Sequence, residues 1–131
     1  MRTAKIFSLP GKTAKRRRIS VRVPKKMIDD LNIAMQTIGL ATRMRSSWIS
    51  NSVIDLKKYS YYTDCVLEEW IESGNNTSIQ ISLNEQASIA LDDMLKEIKN
   101  IEDNKSDMQS AIIRTAILQK LMETSNHTVS L

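Results

Sequence analysis

The stretch Arg18-Ile19-Ser20-Val21-Arg22-Val23-Pro24 decides the fold, because it alternates polar and apolar residues for six positions and then stops on a proline. Alternation with β-branched residues at every second place is the pattern of a half-buried strand. It puts Ile19, Val21 and Val23 on one face and Arg18, Ser20 and Arg22 on the other. Proline cannot donate to a ladder but suits the first turn of a helix, so strand hands directly to helix. Sixty residues later Ser78-Ile79-Gln80-Ile81-Ser82-Leu83 repeats the alternation in phase, and it stops on Asn84, a natural N-cap residue.

The segments that follow also match. Met27, Leu31, Ala34, Met35 and Ile38 form one helical stripe, and the same offset gives Ala87, Leu91, Met94, Leu95 and Ile98. Gly39 suits the position just past the first helix, whereas the second helix is expected to run a turn longer, towards Asn104. The offset then becomes 64, so that Thr42 corresponds to Ser106, each at an N-cap position. Ser106-Asp107-Met108-Gln109 reads as a capping box. Ser46-Ser47-Trp48-Ile49-Ser50-Asn51-Ser52-Val53 aligns with Ser110-Ala111-Ile112-Ile113-Arg114-Thr115-Ala116-Ile117, two further helices.

A six-residue strand is not stable alone, and a two-stranded ribbon needs something covering its apolar face. Pairing the two copies turns Ile19, Val21, Val23, Ile79, Ile81 and Leu83 down onto four helices. The expected fold class is therefore mainly α with a two-stranded antiparallel β-ribbon, strand-helix-helix twice in one chain about a pseudo-two-fold axis. The expected boundaries are a flexible basic arm over 1–17, a first unit over 18–58, a linker over 59–76, a second unit over 77–122 and a polar tail over 123–131. Within the linker, Asp64 to Ser73 reads as a short helix ended by Gly74-Asn75-Asn76, which favours packing as a cap on the core, the alternative being that its acidic rim presents Trp70 to a basic partner.

Charge is uneven along the chain. Met1 to Tyr62 holds 14 Lys/Arg against three acids, giving +11, while Thr63 to Leu131 holds five against 12, giving −7, which together make the overall +4. No acid precedes Asp29, and Lys12-Thr13-Ala14-Lys15-Arg16-Arg17-Arg18 is the densest basic run, so the front of the chain seeks an anion. With three glycines and two prolines, a turn-rich all-β architecture is disfavoured. One cysteine, Cys65, and one histidine, His127, leave no internal disulfide and nearly exclude a Cys/His metal site. No secretory leader or long apolar run is read, so the chain is expected to be cytoplasmic, associated with the nucleoid or a plasmid.

These residues resemble the ribbon-helix-helix superfamily of the Arc, MetJ and CopG type. The resemblance covers about residues 17–58 and 77–122, and is strongest at Ile19-Ser20-Val21-Arg22-Val23-Pro24 and at Ser110-Ala111-Ile112-Ile113-Arg114-Thr115-Ala116-Ile117. It implies that the ribbon enters the major groove of double-stranded DNA. Base reading then falls on Arg18, Ser20, Arg22, Ser78, Gln80 and Ser82, and phosphate contacts fall on Arg16, Arg17, Thr42, Arg43, Arg45 and Ser106. Two units in one chain is similar to TraY-like proteins of conjugative plasmids. The second copy departs from the family pattern. Its strand has no outward Arg or Lys, and Asp107 competes with a phosphate for the helix N-terminus.

The functional expectation is a sequence-specific transcriptional regulator of plasmid or mobile-element transfer genes. The alternative is an accessory protein of a conjugative transfer origin, a relaxosome component. Further partners would be RNA polymerase or other transfer proteins, with no membrane, no cofactor and no metal, and copies would assemble side by side on DNA. An antitoxin reading fails because the tail after Met122 is short and polar. Because the outward residues differ between strands, the DNA element is expected to be asymmetric, guanine-bearing in one half and adenine-bearing in the other. Trp48, Trp70 and the Tyr59, Tyr61, Tyr62 cluster read as packing residues, and the Asp29-Asp30 and Asp92-Asp93 pairs as solvated helix faces. No nucleotide-binding, metalloprotease or hydrolase motif occurs, so no enzyme is expected.

Overall fold

The computed structural model describes residues 16–68, 76–101 and 108–129, with the side chains of 100, 101 and 125–129 outside the description. The chain is mainly helical with one two-stranded antiparallel sheet. In order, the elements are β1 (Arg17–Pro24), α1 (Lys25–Thr37), a 3₁₀ turn (Thr42–Met44), α2 (Arg45–Lys57), α3 (Tyr62–Leu67), β2 (Asn76–Leu83), α4 (Glu85–Ile101) and α5 (Met108–Val129).

Both strands end where the sequence stops their alternation. Pro24 closes β1 and directly precedes α1. Asn84 caps α4, its Oδ1 accepting from the Ala87 amide at 2.8 Å while its carbonyl accepts from the Ser88 amide at 2.9 Å. Helix α1 ends on a Schellman turn, with the Leu40 amide bonded to the Met35 carbonyl at 2.8 Å and the Gly39 amide to the Gln36 carbonyl at 3.0 Å. Gly39 takes φ 80°, a conformation that penalises a Cβ.

The underside of the ribbon and the helices share one core. Val21, Val23, Ile81 and Leu83 are buried beside Leu31, Ile49, Leu91, Ile112 and Ile113. Each such aliphatic side chain contributes roughly 1.5–3 kcal/mol on leaving water. The packing is crossed: helix α2 packs on β2 and α4 and meets α5, and α5 packs on β1 and α1. Trp48 and Tyr62 are buried in this core, as expected for packing residues. Tyr59 is half-buried, but Tyr61, read as a packing residue, is 55% exposed and meets the protein mainly through a tilted contact with the Tyr59 ring, centroids 6.0 Å apart.

Several local expectations are corrected. Ile38 is 59% exposed, because α1 ends at Thr37 and the capping turn rotates Ile38 out of the helical stripe. Thr42 makes no side-chain cap; the chain enters α2 through the 3₁₀ turn instead. The arm ends before Arg17, which belongs to β1. Helix α5 continues to Val129, so the tail expected from 123 is helical backbone over most of its length. The linker helix begins at Tyr62 rather than Asp64, and Tyr62 and Val66 bury against the core formed with α4 and α5. Trp70, Ser106 with its capping box, residues 1–15 and residues 69–75 lie outside the described residues.

Candidate nucleic-acid interface

The ribbon pairs Arg18 with Ser82, Ser20 with Gln80 and Arg22 with Ser78. Arg18, Ser20, Arg22, Ser78 and Gln80 are exposed, and Ser82 is half-buried. The six residues singled out for base reading therefore lie together on one polar face, with the centre of the ladder at Ser20 and Gln80. The register adds something the separate strands could not reveal: the two arginines stand at opposite ends of the face, each across from a serine. Neither Arg18 nor Arg22 has a carboxylate partner among the described residues.

A two-stranded ribbon has two free edges, and unsatisfied edge groups are a pairing hazard. Here the first turns of α2 and α5 hold them. The Ser46 hydroxyl accepts from the Ser82 amide at 3.0 Å, and the Ser110 hydroxyl accepts from the Arg22 amide at 3.4 Å. One turn further along α2, the Ser50 hydroxyl accepts from the Asn84 amide at 3.1 Å. On the other strand the residue matching Asn84 is Pro24, which has no N–H to give. There, the residue matching Ser50 is Arg114, a donor, and its Nη1 bonds the Arg22 carbonyl at 2.8 Å. The proline on one strand and the arginine beneath it are thus a compensating pair. By periodicity alone, Ser46, Ser50 and Ser110 are only small residues on a packing face. The signal that identifies their role is that serine recurs at matching places, 46 and 110, in both halves.

The phosphate candidates divide. Arg16, Thr42 and Arg43 are exposed, and Arg45 is half-buried at the start of α2, which the Ser46 contact places beside β2. Arg17 is engaged inward: Nη1 reaches Asp92 Oδ1 at 2.6 Å and Ser88 Oγ at 3.4 Å, and Nη2 reaches Gln109 Oε1 at 3.2 Å. It braces β1 against α4 and α5, so a phosphate would have to compete with Asp92 for it. The reason is the strand's alternation, which turns position 17 to the helix side of the ribbon.

The acidic pairs are neutralised by neighbours. Asp29 and Asp30 pair with Lys25 and Lys26 one turn earlier, Asp92 pairs with Arg17, and Asp93 pairs with Lys57 at 2.7 Å. The hydrogen bond and charge of Lys57 hold the Asp93 carboxyl below its ordinary value. Burial, followed by the hydrogen bond to Glu97 and that carboxylate's charge, pushes the Tyr62 phenol well above its ordinary value. It stays protonated as a donor that ties α3 to α4. Among the described residues no group of His, Cys, Asp and Glu is arranged to hold a metal, and no helix is long and apolar enough to cross a membrane.

No protein-family model matches the chain, and neither a curated protein nor a solved structure does.

Proposed function

We propose that this chain is a sequence-specific double-stranded DNA-binding protein, a single-chain pair of ribbon-helix-helix units that lays its β1-β2 ribbon in the major groove. Occupying a promoter site in this way, it regulates transcription, with plasmid or mobile-element transfer genes as its targets by analogy with TraY-like proteins.

One observation carries the reading: a two-stranded ribbon whose far face is polar from the Arg18–Ser82 pair to the Arg22–Ser78 pair, with two arginines free of carboxylate partners among the described residues, and whose near face is buried against the helical core. Strands lie about 4.8 Å apart, so such a ribbon fits a major groove about 12 Å wide. Arginine offers two parallel donors to guanine O6 and N7, and glutamine offers a donor and an acceptor to adenine. The repeat is supported by the crossed packing of α2 and α5 and by the matching serine contacts on both ribbon edges. The exposed basic residues Arg16 and Arg43 and the basic sequence before β1 suit phosphates on either side of the groove.

The test is binding by the full chain to a site selected from random DNA, compared with binding to random duplex, for the wild type and Arg22→Ala. The expected result is a loss of about 1–3 kcal/mol on the selected site, with relaxed preference at one position and a smaller change on random DNA. Equal losses on both would make Arg22 a phosphate contact. Failure to select any sequence would overturn the reading.

A further inference from the structure

We propose that Arg114 is a positioning residue for specificity: it makes the Arg22 end of the ribbon read its base more strictly than the Arg18 end. The inference rests on the DNA reading proposed above and concerns which of the two arginines sets the selectivity. In an antiparallel ladder every second residue turns its N–H and C=O away from the opposite strand. Arg22 is such a residue, because its amide reaches the Ser110 hydroxyl at 3.4 Å and its carbonyl accepts from Arg114 Nη1 at 2.8 Å. Arg18, four residues earlier, is in the same phase, so its amide and carbonyl face the same edge. Among the described residues no helix side chain bonds them. The Arg18 end is tied through its neighbours instead: the Ser82 amide donates to Ser46, and the Arg17 side chain reaches Asp92, whose own side chain is 57% exposed.

The opposite edge shows that covering a ribbon edge does not require such a hold. On the sequence offsets of sixty and 64, Arg22 corresponds to Ser82 and Arg114 to Ser50. The Ser82 amide is held by Ser46 as the Arg22 amide is held by Ser110, but Ser50 takes the Asn84 amide rather than meeting the Ser82 carbonyl. Of the six outward residues, Arg22 is thus the one with both backbone groups bonded from a helix. The support is also stiff. Arg114 is 4% exposed and Ser110 2%, on a helix packed against β1, α1 and α2. Water and salt screen a buried contact of this kind far less than the half-exposed Arg17–Asp92 pair at the other end.

A fixed backbone sharpens discrimination and does not merely strengthen binding. An arginine that grips a guanine loses its own freedom and any play in the main chain beneath it, and this cost falls only on the matched site, where the contact forms. Removing the play in advance lowers the cost on guanine and leaves the mismatched site unchanged, so the ratio between them rises. The same fixing stops the guanidinium from following the strand towards an acceptor on a neighbouring base pair. Arg18, with an unheld backbone, tolerates substitution of its guanine more readily.

The test uses the full chain and the site it selects from random DNA, with each guanine substituted in turn and assigned to its reader by Arg18→Ala and Arg22→Ala. Wild-type discrimination is expected to be larger at the Arg22 guanine. Arg114→Met should lower it there by about 2- to 10-fold, the worth of ordering one long side chain, and leave the Arg18 guanine unchanged. Ser110→Ala removes the other hold on Arg22 and should act on the same guanine, which carries the test should Arg114→Met not fold. Ser50→Ala removes the corresponding contact on the other edge, so it should cost stability without changing discrimination at the Arg22 guanine. In the absence of DNA, nitrogen relaxation should show backbone order at Arg22 falling in Arg114→Met or Ser110→Ala. Equal losses at both guanines, or a Ser50→Ala loss as large as that of Arg114→Met, would reduce Arg114 to a purely structural residue and overturn the inference. So would a selected site whose Arg22 guanine is discriminated equally well by the wild type, Arg114→Met and Ser110→Ala, an outcome that leaves the DNA reading standing. A wild type that selects no sequence overturns the DNA reading and the inference with it.

Discussion

Arg114 donates from Nη1 to the carbonyl oxygen of Arg22 at 2.8 Å, so the residue whose side chain faces outward at one end of the ribbon has its main chain fixed from below. The Ser110 hydroxyl takes the amide of the same residue. With both polar backbone groups of Arg22 held by α5, its side chain projects from a rigid base, which lowers the ordering cost of any contact it makes. Arg114 itself is almost wholly buried. Arg114→Met keeps the apolar stem and removes the donor. The expected loss is about 1.5–3 kcal/mol in stability, the range for a hydrogen bond to a charged group, read as a lower denaturant midpoint. Unchanged stability would mean that water serves the Arg22 carbonyl equally well.

Deleting residues 1–15 leaves β1, Arg16 and the Arg17 brace in place. The fold should be unaffected, and the salt dependence of DNA affinity should weaken, by about 0.9 in log-log slope for each phosphate that the shortened chain no longer neutralises. Arg17→Ala makes the contrasting variant. Since Arg17 is bonded to Asp92, Ser88 and Gln109, its removal should lower thermal stability more than it lowers the salt slope. The reverse ranking would show that Arg17 exchanges Asp92 for phosphate on binding.

How much of this is legible in the sequence depends on the range of the interaction. The strands, their alternation, the Asn84 cap and the Gly39 turn follow from neighbours within a few residues, and each is readable. The six outward residues are readable too, because a period of two leaves no freedom about which face a side chain takes. Pairing across the ribbon is not readable from either strand alone, and it is what sets each arginine across from a serine. The ends of elements shift wherever a tertiary contact or a capping turn takes over: Ile38 rotates out at the Schellman turn, and Arg17 leaves the arm to reach Asp92. The roles of Ser46, Ser110 and Arg114 depend on helices packing against strands from the opposite half, which composition and periodicity do not encode.

The Lys57–Asp93 pair gives a pH signature. Lys57 holds the Asp93 carboxyl below 3.8, its ordinary value. A depressed carboxylate stabilises the fold above the unfolded-state value and loses that contribution as pH falls through the folded one, so the window lies below pH 3.8. Both groups are solvent-exposed, and the contribution to stability is small. The titration itself is the better readout. By carbon-detected NMR, Asp93 should titrate below 3.8 in the wild type and move back toward that value in Lys57→Met. No movement would show that the pair is not populated in solution.

The DNA element read by one chain should be asymmetric, in a form the ladder specifies more closely than the strand sequences do. A homodimeric ribbon presents the same side chains at both ends and naturally selects a palindrome. Here the face reads Arg18 beside Ser82, then Ser20 beside Gln80, then Arg22 beside Ser78. The sequence alone suggests guanine in one half and adenine in the other, but the ladder sets Gln80 between the two arginines, which stand at opposite ends of the face. Guanine should therefore be favoured on both sides of a central adenine-bearing position. Four residues of strand at about 3.3 Å each span roughly 13 Å, or about four base pairs at 3.4 Å per step, which sets the guanine spacing. The serines add little, since a single hydroxyl discriminates bases weakly. Asymmetry persists because both arginines come from β1 and the amide reader, Gln80, comes from β2. Sites selected from random DNA by dilute, monomeric protein should show this pattern, and Gln80→Ala should flatten the central position while leaving the flanking guanines. Recovery of a short perfect palindrome, or loss of guanine preference at only one end in Arg18→Ala/Arg22→Ala, would contradict the assignment.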